Sequence, residues 1–140
     1  MEKIRVAVVS AVFGGVDTWK PFCKQVLPEW AEWAGLYRYD ESNTPVPLPN
    51  LPDRLKAKYF KTQCHRINDW EQCGANVVVW IDGNIEVRRV DFVEALIAPI
   101  KEKRSFFSIQ KHHERQTIGE EITFVLSSDN PYLLLWYPEV

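Results

Sequence analysis

Asn76-Val77-Val78-Val79-Trp80-Ile81-Asp82-Gly83-Asn84-Ile85-Glu86-Val87 is the stretch on which the reading of this chain turns. Its first six residues are almost continuously apolar and rich in β-branched side chains, which predicts a strand buried on both faces, as in a parallel sheet flanked by helices. The run breaks at Asp82-Gly83-Asn84 and resumes over 85–87. An acid followed by glycine at the end of such a strand delivers a carboxylate to the carboxyl edge of the sheet, where open α/β folds bind ligands. Gly83 is expected to leave room for a substrate, and Asn84 to add a neutral oxygen two residues on. Asp82 and Asn84 are hard oxygen donors suited to Mg2+ or Mn2+ bridging phosphates. A hairpin turn is the competing reading, because Asp-Gly is also a common two-residue turn.

Towards the N-terminus, Ile4–Phe13 reads as a second central strand, closed by Gly14-Gly15. Asp17 is expected to cap a helix from about Thr18 to Trp33 that ends at Gly35, broken where Pro21 and Pro28 remove hydrogen bonds and clash with the preceding turn. Leu36–Tyr39 predicts a short strand stopped by Asp40. Four prolines between Pro45 and Pro52 then exclude regular structure, and so long a loop is often functional or mobile.

Asp53 is expected to cap the clearest helix, Arg54 to about Trp70. On a helical wheel Leu55, Tyr59, Phe60, Cys64, Ile67 and Trp70 share one half, while Arg54, Lys58, Lys61 and His65 form a narrow basic stripe on the other. Several cations on one face suit a diphosphate or carboxylate; a solvated helix face explains the same pattern. Asp91 is expected to cap a further helix, Phe92 to about Lys103, with Pro99 disturbing its last turn. Beyond it, 105–109 reads as a strand, followed by the polar run His112-His113-Glu114-Arg115-Gln116-Thr117-Ile118-Gly119-Glu120-Glu121. Mixed polar groups at a strand exit suit a catalytic edge, or simply an exposed loop. No HExxH and no zinc-ligand spacing occur in it. Strands alternating with helices predict an α/β fold with a mostly parallel sheet and helices on both faces.

The 140 residues are enough for one domain, 1–140, with a sizeable core; 46% are hydrophobic and 26% charged, as in globular proteins. A net charge of −2 gives no basic field pointing to nucleic acid. Cys23, Cys64 and Cys73 are odd in number and form no CxxC, which predicts a reducing compartment. No run reaches the roughly 20 apolar residues of a membrane span. Val6–Phe13 lacks the small-residue cleavage site of a signal peptide, so a cytoplasmic location is expected. Six tryptophans predict either a Trp-rich core or a binding surface. The sequence contains no GxGxxG, P-loop, GxSxG or kinase motif set. A phosphohydrolase using Asp82 as nucleophile would want a second acid where Asn84 stands.

Three segments together carry a resemblance: SAVFGGVD after the first strand, AKYFKTQCHRI with VVVWIDGNIEV, and HHERQTIGEE. Over about residues 4–125 the pattern resembles the glycosyltransferase-like domain of unknown-function family 616. That resemblance implies a GT-A-like, Rossmann-type three-layer sandwich that binds a nucleotide sugar, with a divalent metal (Mn2+ or Mg2+) as cofactor and a glycan as acceptor. It implies that Asp82 stands at the metal-binding aspartate, with Asn84 beside it. Lys58, Lys61, His65 and Arg66 match the family's basic helix, and His112, Arg115 and Glu121 its later polar motif, with His112 or Glu121 as the base. Phe13, Gly14 and Gly15 would face the nucleotide, and Asp40 would contact ribose or base. The pattern departs in two places. The aspartate has no second acid of a full DxD, and the chain stops at Val140, before an acceptor lobe of the usual size. The function expected is sugar transfer from a nucleotide-sugar donor, the alternative a non-catalytic nucleotide- or glycan-binding module.

Overall fold

The computed structural model describes residues 2–103, which belong to a single compact unit. Strand β1 (Ile4–Ala11) is the centre of a three-stranded sheet, with β2 (Ala31–Tyr39) on one side and β3 (Val77–Trp80) on the other, both parallel to it. The residues from Val6 to Val9 are fully buried, as a strand covered on both faces must be. Helix α1 (Asp53–Thr62) lies between β2 and β3 in sequence, and α2 (Phe92–Lys103) follows β3.

Alternation along β1 divides the core in two. Ala7, Val9 and Ala11 pack with Phe60 of α1 and with Ile67 and Trp70. Val6 and Val8 pack with Val93 and Ile97 of α2, and with Phe22, Cys23 and Leu27 at the rim of that cluster. The two connections between strands therefore cover opposite faces. The chain is an α/β protein with an all-parallel sheet among the described residues, as the strand–helix alternation predicts. In the order β2-β1-β3, the chain passes from β1 to β2 and then crosses back to β3. Strands β1 and β3 therefore flank the point where the strand order reverses, at whose carboxyl side open α/β sheets bind ligands.

Several local expectations are corrected. No helix spans 18–33: the segment runs extended beside the chain after β3, with Cys23 N–H bonded to the Val87 carbonyl (2.9 Å), Val26 N–H to that of Val90 (2.8 Å) and Val87 N–H to that of Pro21 (3.0 Å). Pro21 and Pro28 removed the helical alternative, and pairing with 87–90 satisfies the backbone instead. Gly35 consequently ends no helix. It sits inside a strand five residues longer than expected, at a register shift between Val6 and Ala7, with φ 140 and the Tyr37 ring where a Cβ would go.

Helix α1 stops at Thr62 rather than Trp70, its last turn closed by Gln63 N–H to the Tyr59 carbonyl (3.0 Å). Trp70 still reaches the core from the turns that follow, tied by its indole N–H to the Cys64 carbonyl (2.7 Å). Tyr59, placed on the apolar half by the wheel, is 40% exposed. Neither expected aspartate cap forms. Pro52 is the N-cap residue of α1, and Asp53 pairs with Lys56 (3.1 Å). At α2, Asp91 turns to Arg89, while Val93 N–H is taken by the Gln25 side chain (2.9 Å). The boundaries of α2 and the position of Pro99 inside it are as expected. Of the proline-rich loop, Val46 and Leu48 pack against the α1-side core, which anchors it.

Candidate functional site

Asp82 lies two residues past the end of β3, at the carboxyl edge of the sheet. Its turn is closed by Ile85 N–H to the Asp82 carbonyl (3.1 Å). This is no hairpin, since β3 pairs in parallel with β1. Gly83 is required for packing: a Cβ there would overlap Val12 Cγ2 and touch the Trp19 ring. The side chain of Asp82 is held from two directions at one oxygen. Lys61 Nζ is 3.2 Å from Oδ1, and the Trp80 indole N–H donates to the same atom (2.8 Å). Lys61 comes from the last turn of α1, where a cation also complements the helix dipole. Sequence-distant Lys61 and Asp82 are thus brought together as expected. Both side chains are about half exposed (52% each), so solvent screens the pair and its contribution to stability is about 0–1 kcal/mol.

Lys58 and Arg54 lie one and two turns earlier on α1, on the same stripe. His65 and Arg66 do not extend it, because the helix has ended, and they sit exposed in the following turn. Phe13 does not face a ligand. It is buried in the core, edge-on to Phe60 with centroids 5.1 Å apart. Gly14 and Gly15 are exposed with φ 66 and 63, as a tight left-handed loop demands. Gly14 N–H donates to Glu41 Oε1, and Asp53 occupies the space where a Gly14 Cβ would lie. Two acids at this amide make it a poor seat for phosphate.

Asp40, just past the end of β2, accepts hydrogen bonds from Ser42 N–H (2.8 Å) and Ser42 Oγ–H (2.5 Å), and the Asp40 N–H donates to Asn43 Oδ1 (2.7 Å). The Ser42 hydrogen bonds, side chain first, hold its carboxyl below the ordinary aspartate value. Asp40 is therefore engaged in shaping its own turn. His112, Arg115 and Glu121 lie outside the described residues.

For Mn2+ or Mg2+, the described edge offers the Asp82 carboxylate, already facing an ammonium on Oδ1, and the Asn84 amide. No group of three His, Cys, Asp or Glu side chains suited to a metal occurs among the described residues. That donor set does not fit a divalent ion by itself, because hard dications want several oxygens and no competing cation. No described helix is long and apolar enough to cross a membrane.

A second polar cluster at the same edge escapes a sequence reading. Ser10 and Arg38 are register partners in β1 and β2, on the α2 side of the sheet. Arg38 lies 5.1 Å from the centroid of the Trp19 ring, and its Nη2–H donates to the Lys20 carbonyl. A serine among valines and an arginine in an alternating strand carry no distinctive signal beyond being polar where the strand is covered.

No family model matches this chain, and no curated protein or solved structure matches it either.

Proposed function

We propose that the chain binds a nucleotide-sugar donor at the carboxyl edge of its sheet and transfers the sugar to a glycan or other acceptor. The observation that carries this reading is the meeting of Lys61 with Asp82 at the carboxyl side of β3, next to the β1/β3 point of reversal where a parallel sheet of this strand order takes ligands. An exposed ammonium held by a half-exposed carboxylate exchanges partners at little cost. Phosphate oxygens would take over Lys61, with Lys58 on the same helix face adding positive charge, and Asp82 would turn to the sugar hydroxyls. The resemblance of AKYFKTQCHRI, WIDGN and HHERQTIGEE to the glycosyltransferase-like family supports the donor class and the finer GT-A-like architecture. It also nominates Arg115 for the leaving diphosphate and His112 or Glu121 as the base that deprotonates the acceptor. Cationic side chains carry the leaving-group charge in this reading.

A non-catalytic donor-binding module is the second reading, favoured by the pairing of Asp82 with a lysine rather than with a second acid. Thermal shift with UDP- and GDP-sugars, each with and without Mn2+, tests the donor site. One of them should raise the melting temperature, and Lys61→Ala should weaken that ligand about tenfold or more, as loss of a charged hydrogen bond does. No stabilisation in any arm would remove the proposal. Release of nucleoside diphosphate on incubation separates the enzyme from the binding module.

A further inference from the structure

We infer that Ser10 and Arg38 form a separate oxyanion subsite, one that takes a phosphate or carboxylate group on the α2 side of the sheet. The Ser10 Oγ and Arg38 Nε atoms are both buried, and neither has a hydrogen-bond partner among the described residues. They are not independent accidents, because the two residues face each other across paired strands, each one residue from its strand's carboxyl end. Ser10 is 1% exposed. Buried polar atoms are paired in the great majority of cases, so two adjacent orphans mark a missing partner. The missing partner must accept from both a hydroxyl and a guanidinium N–H.

The charge argues for an anion over a water. Among the described residues Arg38 pairs with no carboxylate. The only described partners of its guanidinium are the Lys20 carbonyl and the face of Trp19. A water would satisfy the hydrogen bonds and leave the guanidinium charge uncompensated, whereas an oxyanion accepts the hydrogen bonds and also compensates the charge. The planar fork of arginine fits carboxylate and phosphate oxygens, and Trp19 holds the plane in place. The segment from Gly14 to Lys20, which starts with two left-handed glycines, touches the cluster through Trp19 and Lys20. The inference does not rest on the nucleotide-sugar reading, since it uses neither Asp82 nor Lys61.

The test follows the Arg38 Nε–H resonance in nitrogen-15 spectra of the full chain. Inorganic phosphate and, in a second arm, acetate are titrated at constant ionic strength set with chloride. A saturable shift is expected in at least one arm, and the stronger arm identifies phosphate or carboxylate as the natural group. Ser10→Ala, a small substitution in a strand, should weaken that binding about tenfold or more. Lys61→Ala should leave it unchanged. Arg38→Lys assigns the resonance, and should it fail to fold, the Ser10→Ala comparison still decides. A resonance that ignores both anions, or responds equally in Ser10→Ala, overturns the inference.

Discussion

Two cation–indole clusters sit at one sheet edge, on opposite faces, and they are built on opposite principles. On the α1 side Lys61 meets Asp82 in the open, with the Trp80 indole donating to the same oxygen. Charge there is balanced, hydrogen bonds are made, and solvent reaches both partners. On the α2 side Arg38 lies against Trp19 with no ion pair to a described carboxylate, beside a buried serine hydroxyl that has no partner among the described residues. The open pair costs little to make or break, which suits a group that must exchange its partner for a ligand. The closed pair costs folding free energy as it stands, which is tolerable only where some other gain offsets it. Exposure, more than residue type, separates the two.

The clusters meet at Gly83, and the largest effect is expected there. Its missing Cβ gives space to Val12 and to the Trp19 ring. Gly83→Ala should drive that methyl into Val12 and lower stability by about 1–3 kcal/mol, as overpacking does, measured by urea unfolding. Gly83 does not have the positive φ of Gly14, Gly15, Gly35 and Gly74, so backbone strain would not confuse the result. An unchanged midpoint would mean that the two faces are not coupled through this turn.

The closed cluster should respond in the unusual direction. Ser10→Ala removes a buried hydroxyl without a partner and leaves an apolar methyl in a valine-rich strand. In anion-free buffer it should stabilise the protein by about 1 kcal/mol, the lower end of the cost of an unsatisfied buried group. Destabilisation would mean that the hydroxyl has a partner in solution.

Much of the α1 side was legible in sequence because its signals are local. The apolar run to Trp80, the acid and glycine after it, and the basic spacing Arg54, Lys58, Lys61 each follow from one period or one turn rule. Strand β1 and helix α2 were legible for the same reason. The rest of the α2 side was not, because its organisation is long-range. Thr18–Trp33 carries a cap-like Asp17 and a terminal Gly35, and so reads as a broken helix; its backbone is instead satisfied by residues 87–90, far along the chain. The Gln25 side chain caps a helix about 68 positions away, a contact no spacing rule encodes. The resemblance places Phe13 towards a nucleotide, while the strand's own alternation turns it towards Phe60. Arg38 looks like the solvent side of a strand until the segment around Trp19 is laid over it.

The smallest stability effect belongs to the open pair, and its smallness is the point. Lys61→Ala removes an ammonium whose partner is half exposed, so the Asp82 carboxylate left behind is hydrated and keeps its hydrogen bond from Trp80. The expected loss is about 0.2–1 kcal/mol, the range of exposed ion pairs, and it should shrink further in high salt as screening removes what the pair contributed. Urea unfolding at low and high ionic strength, compared with wild type, measures both. A loss of several kcal/mol that salt does not touch would mean Lys61 is desolvated and structural. An ammonium so fixed could not let go of Asp82 for a phosphate, and the contrast between an exchangeable face and a closed one would fail.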